Sequence, residues 1–166
     1  MLSAHDAVAL CRLLEQHRIY YWVMGGWGVD ALLRRETRLH KDLDLLVAKD
    51  DLPTLWTLLD EHGFTLQSVW EENRWLDEET DRQPTAFVVA DAQGRELDVH
   101  VIDIGPYGAI IQLYEPPWAF PDSIAGQGNI AGVAVPCVSK ETQLAMHLGY
   151  TLPEGQRRDL ELLRAD

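Results

Sequence analysis

Val8, Leu10, Cys11, Leu13 and Leu14 recur at the spacing that buries one face of a helix, and Ser3-Ala4-His5-Asp6 before them has the form of a capping box. The pattern predicts a helix ending near His17. Residues 19–24 (IYYWVM) form a compact β-branched and aromatic run, read as a buried strand. It leads into Gly25-Gly26-Trp27-Gly28 and a short helix in VDALLRR. Residues 43–47 read as a second strand. Asp50 or Asp51 then caps a helix with Pro53 in its first turn, inward positions at Leu52, Leu55, Trp56, Leu58 and Leu59, and Gly63 at its end.

Residues 64–69 (FTLQSV) come next, then a polar, acidic stretch to Arg82. Residues 86–90 and 96–102 flank Asp91-Ala92-Gln93-Gly94, which predicts an antiparallel hairpin. Residues 103–129, rich in Pro, Gly and aromatics, read as ordered loops. Residues 130–135 read as a short edge strand, because Pro136 cannot donate in a ladder. A helix is expected from Ser139 to about Gly149 and another over 154–164. The fold class that follows is α+β: a mixed, mainly antiparallel sheet flanked by helices, with helices again at the C-terminus.

Length, at 166 residues, argues for one domain, with 139–166 as a helical segment packed on it. The chain is 46% hydrophobic and 25% charged, ordinary values for a soluble globular protein. No run approaches the ~20 apolar residues of a membrane span. The first residues carry charges throughout and lack a basic segment, unlike a secretory signal. Cys11 and Cys137 fit no metal spacing, so the expectation is a cytoplasmic protein without membrane attachment. The formal net charge of −13 opposes binding to a polyphosphate backbone, so no nucleic-acid partner is expected. It suits either simple solubility or a cationic small-molecule partner.

Three features carry chemistry. Glycines between a strand and a helix, at Gly25, Gly26 and Gly28, let backbone amides approach an anion at the helix's positive end; a tight turn is the plainer reading. Asp42-Leu43-Asp44 opens a strand, and alternation puts both carboxylates on one face, where they can grip Mg²⁺ together with phosphate oxygens; a solvated strand end is the plainer reading. Asp98 and His100 share one face of the predicted hairpin strand, so Asp98 can complete a carboxylate triad with Asp42 and Asp44. Arg38, His40 and Lys41 lie just before the paired acids, placed to contact a polyphosphate.

Gly25-Gly26-Trp27-x-x-Asp30 followed by Thr37-Arg38-x-His40-x-Asp42-x-Asp44 resembles the signature of small antibiotic nucleotidyltransferases of the polymerase-β-like superfamily. The strongest likeness is to single-domain lincosamide nucleotidyltransferases, and aminoglycoside 2″-nucleotidyltransferases share much of the pattern. The similarity extends through Asp98-Val99-His100 to Cys137-Val138-Ser139, His147-x-Gly149-Tyr150 and Asp159. It implies Mg²⁺-dependent transfer of AMP from ATP, through two ions, to a hydroxyl of a small cationic antibiotic. Asp42, Asp44 and Asp98 would hold metal, while Gly25, Gly26, Trp27, Arg38, His40 and Lys41 would contact nucleotide. Asp98 would be the general base, with His100 as the competing candidate. The chain departs from the wider superfamily in having Gly26 where many members have serine.

The acidic positions Glu71, Glu72, Asp77, Glu78, Glu79 and Asp81 can line the acceptor side, with Trp70, Trp75, Tyr107, Tyr114 and Trp118 as apolar walls or as core. A homodimer would complete the pocket of so small a unit. Two other readings stay open: an aminoglycoside acceptor, and a nucleotidyltransferase-fold module that modifies or binds a protein. A dinucleotide fingerprint, Gly26-Trp27-Gly28-Val29-Asp30-Ala31, is opposed by the bulky Trp and by the antiparallel hairpin that follows.

Overall fold

The computed structural model describes residues 1–71, 75–78, 81–105, 108–111, 118–120, 124–148 and 151–166. The chain runs α1 (Ala4–Gln16), β1 (Tyr21–Val23), α2 (Gly25–Leu33), β2 (Leu43–Ala48), α3 (Leu52–Glu61), β3 (Thr65–Val69), β4 (Trp75–Glu78), β5 (Asp81–Pro84), β6 (Ala86–Ala90), β7 (Glu96–Gly105), β8 (Gly108–Ile111), β9 (Trp118–Phe120), β10 (Ala125–Ile130), β11 (Val133–Val138), α4 (Lys140–Ala145) and α5 (Glu154–Ala165). The main sheet has the order β10-β11-β1-β2-β7-β6-β3, with β8 and β9 extending from β7. Two of its pairings, β2 with β7 and β1 with β11, are parallel and the others antiparallel, as the α+β reading expects.

Local chemistry accounts for the well-placed elements. Ser3 and Asp6 make the reciprocal capping box of α1. Gly63, at φ 73°, takes the left-handed turn that releases α3. Asp51 is the N-cap of α3, but its carboxylate accepts from the Tyr20 amide at 2.7 Å rather than capping the helix. Leu43, Leu45 and Val47 of β2 and Val99 and Val101 of β7 pack with Leu10, Cys11 and Leu14 of α1 and Leu55, Leu58 and Leu59 of α3. On the opposite face Leu46, Ala86 and Ile102 form a smaller apolar cluster with Met24, Ile124 and Val138. One face of the sheet is therefore committed to the core, and the other is free for polar groups at the ends of β2 and β7.

Several expectations need correction. Only Tyr21–Val23 of the first apolar run is strand, because Met24 already serves as the N-cap of α2. The helix begins at Gly25, so both glycines lie inside its first turn rather than in a loop before it. Residues 103–129 are not loops throughout: β7 continues to Gly105, and β8, β9 and β10 follow. The glycines of β10 reflect packing, since a Cβ at Gly128 would stand 2.6 Å from Ala31 of α2. The polar stretch contains the β4–β5 hairpin. The strand around 130–135 is interior, since β11 pairs with both β10 and β1, and β10 is the edge. Pro136 is tolerated because β1 meets β11 at Val23↔Cys137, one position beyond it. Finally, α4 stops at Ala145, short of the expected Gly149.

Candidate active site

β1 runs antiparallel to β2, with Val23 opposite Leu45, so the turn after β1 arrives beside the start of β2. The Met24 amide donates to the Asp44 carbonyl at 3.0 Å, which holds the N-terminus of α2 against the paired acids. Side-chain capping is absent there, so the helix's positive end faces the site without a local partner side chain. Gly25 sits at φ 59°, and any Cβ on it would overlap the Asp44 carboxylate. A Cβ at Gly26 would overlap His40 and lie 2.7 Å from Nη2 of Arg38. Both glycines are thus required for close approach, and a serine at the second position has no room here.

Asp44 and Asp98 are direct register partners on the parallel strands β2 and β7, where neighbouring backbones lie about 4.8 Å apart. Asp42 stands just before β2 rather than within it. Burial raises the pKa of Asp42, and the negative charges of Asp98 and Glu96 add to the shift. Burial also pushes Asp44 well above the usual carboxylate range, with Asp42 and Asp98 reinforcing it and Arg38 opposing it. The structure therefore brings the three carboxylates into one electrostatic cluster. Among the described residues no three such groups already stand in chelating geometry. Mg²⁺ does not need a closed protein cage, since it uses one or two carboxylates and completes its shell with phosphate and water. The donor set, all hard oxygens carrying mutual repulsion, fits that ion.

The basic positions have separate placements. Arg38 is held by Asp159 of α5, with Nε 3.1 and 3.0 Å from the two carboxylate oxygens and Nη2 at 2.7 Å. That contact raises the guanidinium's pKa, and the fields of Asp30 and Asp44 add to it. His40 is buried: its Nε2 lies 2.6 Å from Oδ2 of Asp30, and its ring packs on Trp27 with centroids 4.5 Å apart. Trp27 is itself buried. The other oxygen of Asp30 accepts from the Thr37 amide at 3.1 Å and its hydroxyl at 2.6 Å. Asp30 thereby ties α2 to the segment that carries Arg38 and Asp42. Lys41 is exposed and pairs with Glu96 at 2.5 Å, beside Asp42 and Asp98.

Asp98, 7% exposed, accepts from Nε1 of Trp70 at 2.9 Å, and Nε2 of His100 lies 3.2 Å from the same oxygen. Nδ1 of His100 is buried and has no partner among the described residues. Gln143 of α4 donates to the Gly25 carbonyl at 2.9 Å and so braces the glycine turn from behind. In the sequence Asp30 and Asp159 stand out only as parts of the resemblance, with no role of their own, because their partners are 7 to 10 and 121 positions distant. Gln143 was missed, and no local signal marks it. Of the acceptor-side positions, Glu72, Glu79, Tyr107 and Tyr114 lie outside the described residues, as do Gly149 and Tyr150 and the side chains of Trp75, Asp77, Glu78, Asp81 and Trp118.

The model of a family described as aminoglycoside-2″-adenylyltransferase matches residues 7–163. A lincosamide resistance protein of Staphylococcus haemolyticus is 27% identical over 155 residues, covering 92% of this chain and 89% of that protein. Among solved structures, the lincomycin-bound lincosamide antibiotic adenylyltransferase LnuA superposes with a TM-score of 0.81 at 23% identity, over 99% of this chain and 98% of that one. ANT(2″)-Ia, in complex with adenylyl-2″-tobramycin, superposes with a TM-score of 0.69 at 19% identity, over 97% and 85%.

Proposed function

The chain belongs to the aminoglycoside-2″-adenylyltransferase family, and we propose that it moves AMP from ATP to a hydroxyl of a lincosamide antibiotic, releasing pyrophosphate. The observation that carries this reading is the register pairing of Asp44 with Asp98 beside the N-terminus of α2. That arrangement sets anion-binding amides next to a carboxylate cluster suited to cations that travel with a triphosphate. The relative named for lincosamide resistance, matched along nearly its whole length, supports the acceptor class. The family's own description favours a second reading, an aminoglycoside acceptor.

In this reading the first-turn amides of α2 and the guanidinium of Arg38 bind the triphosphate. Asp42, Asp44 and Asp98 would hold Mg²⁺, which when bound offsets phosphate charge and makes the α-phosphorus a better electrophile. The acceptor oxygen forms the new bond to that phosphorus, Asp98 takes the hydroxyl proton, and the bond to pyrophosphate breaks. His100, beside Asp98, is the competing base. Asp30, with His40 and Thr37, keeps the segment bearing Arg38 and Asp42 in place. A cytoplasmic location, where ATP is supplied, is part of this reading, and no helix among the described residues is long and apolar enough to cross a membrane.

The test is purified protein with ATP, Mg²⁺ and a panel of lincosamides and aminoglycosides, read by mass spectrometry. A lincosamide that gains one AMP is the expected product. Adducts on aminoglycosides alone would move the assignment to the second reading, and no adduct on any member would overturn both.

A further inference from the structure

β3 is a poor place to spend a tryptophan on the core. It is an edge strand, at the end of the sheet opposite β10, and Thr65, Leu66, Gln67 and Ser68 are all exposed. Trp70, at its end, is itself 45% exposed. Its amide donates to the Ala86 carbonyl at 3.1 Å, which fixes it against β6, and its indole reaches beyond β6 to Asp98 on β7. The indole N–H donates to Oδ1 of Asp98 at 2.9 Å, and the ring lies roughly parallel to that of His100, 29° apart in plane with centroids at 6.2 Å. A cleft of about 320 Å³, lined among the described residues by Ser68, Val69, Trp70 and Glu71, opens along the end of β3 on which Trp70 sits.

From this we propose that Trp70 has two linked roles: it is the positioning residue for Asp98, and its ring is the floor of the acceptor subsite. The proposal rests on the adenylyl-transfer reading above. By occupying Oδ1, which His100 Nε2 also approaches, the indole N–H orients the carboxylate and leaves Oδ2 for the metal and the acceptor hydroxyl. A half-exposed aromatic face beside a base suits the C–H face of a sugar-like ring, which presents its hydroxyls at the rim. The ligand class is thus a hydroxylated ring with one apolar face, laid on Trp70 with a hydroxyl directed at Asp98.

Two variants separate the roles. Trp70→Phe keeps an aromatic floor and removes the N–H; Trp70→Ala removes both. Each is compared with wild type in steady-state kinetics of AMP transfer, in calorimetric binding of the acceptor and of ATP, and in thermal melting. Trp70→Phe is expected to lower kcat about tenfold, the scale of one hydrogen bond to a charged group, with the acceptor's KM within about twofold. Trp70→Ala is expected to lower kcat similarly and also to raise the acceptor's KM and Kd about tenfold. ATP affinity should stay unchanged in both. An unaltered kcat in Trp70→Phe, or variants that change only the melting temperature, would overturn the proposal while leaving adenylyl transfer intact. A wild-type protein that forms no adduct would overturn both.

Discussion

Arg38 and Asp159 are joined across 121 positions by a two-oxygen contact that fixes the guanidinium's plane. Asp159 is buried and Arg38 is one-third exposed, so the acid anchors and the base presents. If Arg38 binds the triphosphate as proposed, the last helix is thereby part of that side of the site. Asp159→Ala is expected to raise the KM for ATP about three- to tenfold with a smaller effect on kcat, because it frees Arg38 without removing its charge. Arg38→Ala strands the buried carboxylate and should cost about 1–3 kcal/mol of stability as well. Steady-state kinetics and urea unfolding check both; an unchanged KM for ATP in Asp159→Ala would dismiss the anchoring role.

The crowding at the glycine turn makes a second case. Gly26→Ser places a Cβ into His40 and Arg38, although serine is common at this point in the wider superfamily. Overpacking of this kind costs about 1–3 kcal/mol, and displacement of Arg38 should also weaken ATP binding. Thermal melting and ATP titration test it. A serine variant with wild-type stability and affinity would mean that the turn relaxes freely.

Asp44 gives a pH prediction with a definite sign. Its folded pKa lies above the ordinary 3.8, so between those values the native state holds more protons than the unfolded state. Stability from this group therefore falls as pH rises through that window, so at pH 7 the buried acid is a net penalty to the metal-free protein. Asp44→Asn removes it. The metal-free variant should melt above wild type at pH 7, with the gap closing below pH about 4, and should have lost turnover. Added Mg²⁺ should raise the melting temperature of wild type and not of the variant. A variant less stable than wild type in EDTA at pH 7 would contradict this account.

Asp98→Asn and His100→Ala decide which group takes the proton. Asp98→Asn is expected to keep ATP affinity within about threefold while kcat falls at least a hundredfold, the scale of general-base loss. His100→Ala should cost less. The reverse ranking in single-turnover kinetics would transfer the role to His100.

The Asp30 hub is a matter of stability. Asp30→Ala leaves the buried His40 ring and the Thr37 amide and hydroxyl without their acceptor, at a cost of about 2–4 kcal/mol from three lost contacts. Chemical denaturation measures it, and a cost under about 0.5 kcal/mol, the range of an ordinary surface substitution, would remove Asp30 from its structural role.

How much of this was legible can be seen at particular residues. The Ser3–Asp6 cap, the helix stop at Gly63 and the alternation in β2 and β7 were readable because each depends on neighbours a few positions away. The strands within 103–129 were not, because a strand glycine such as Gly128 reflects close packing against Ala31 rather than a local turn. His40 stands in a basic cluster that suggests a nucleotide contact; its burial on Asp30 is a feature a linear pattern does not show.

The residue types and their periodicity were enough to set the fold class, the acidic pair, the isolated strand carboxylate and the glycine turn, since side-chain alternation and backbone freedom are local properties. Tertiary structure alone decided that Asp98 stands opposite Asp44, that Arg38 is held by the last helix and that Trp70 reaches Asp98 from an edge strand. Strand order and register are set by which apolar faces can be buried together, and that is a property of the whole chain.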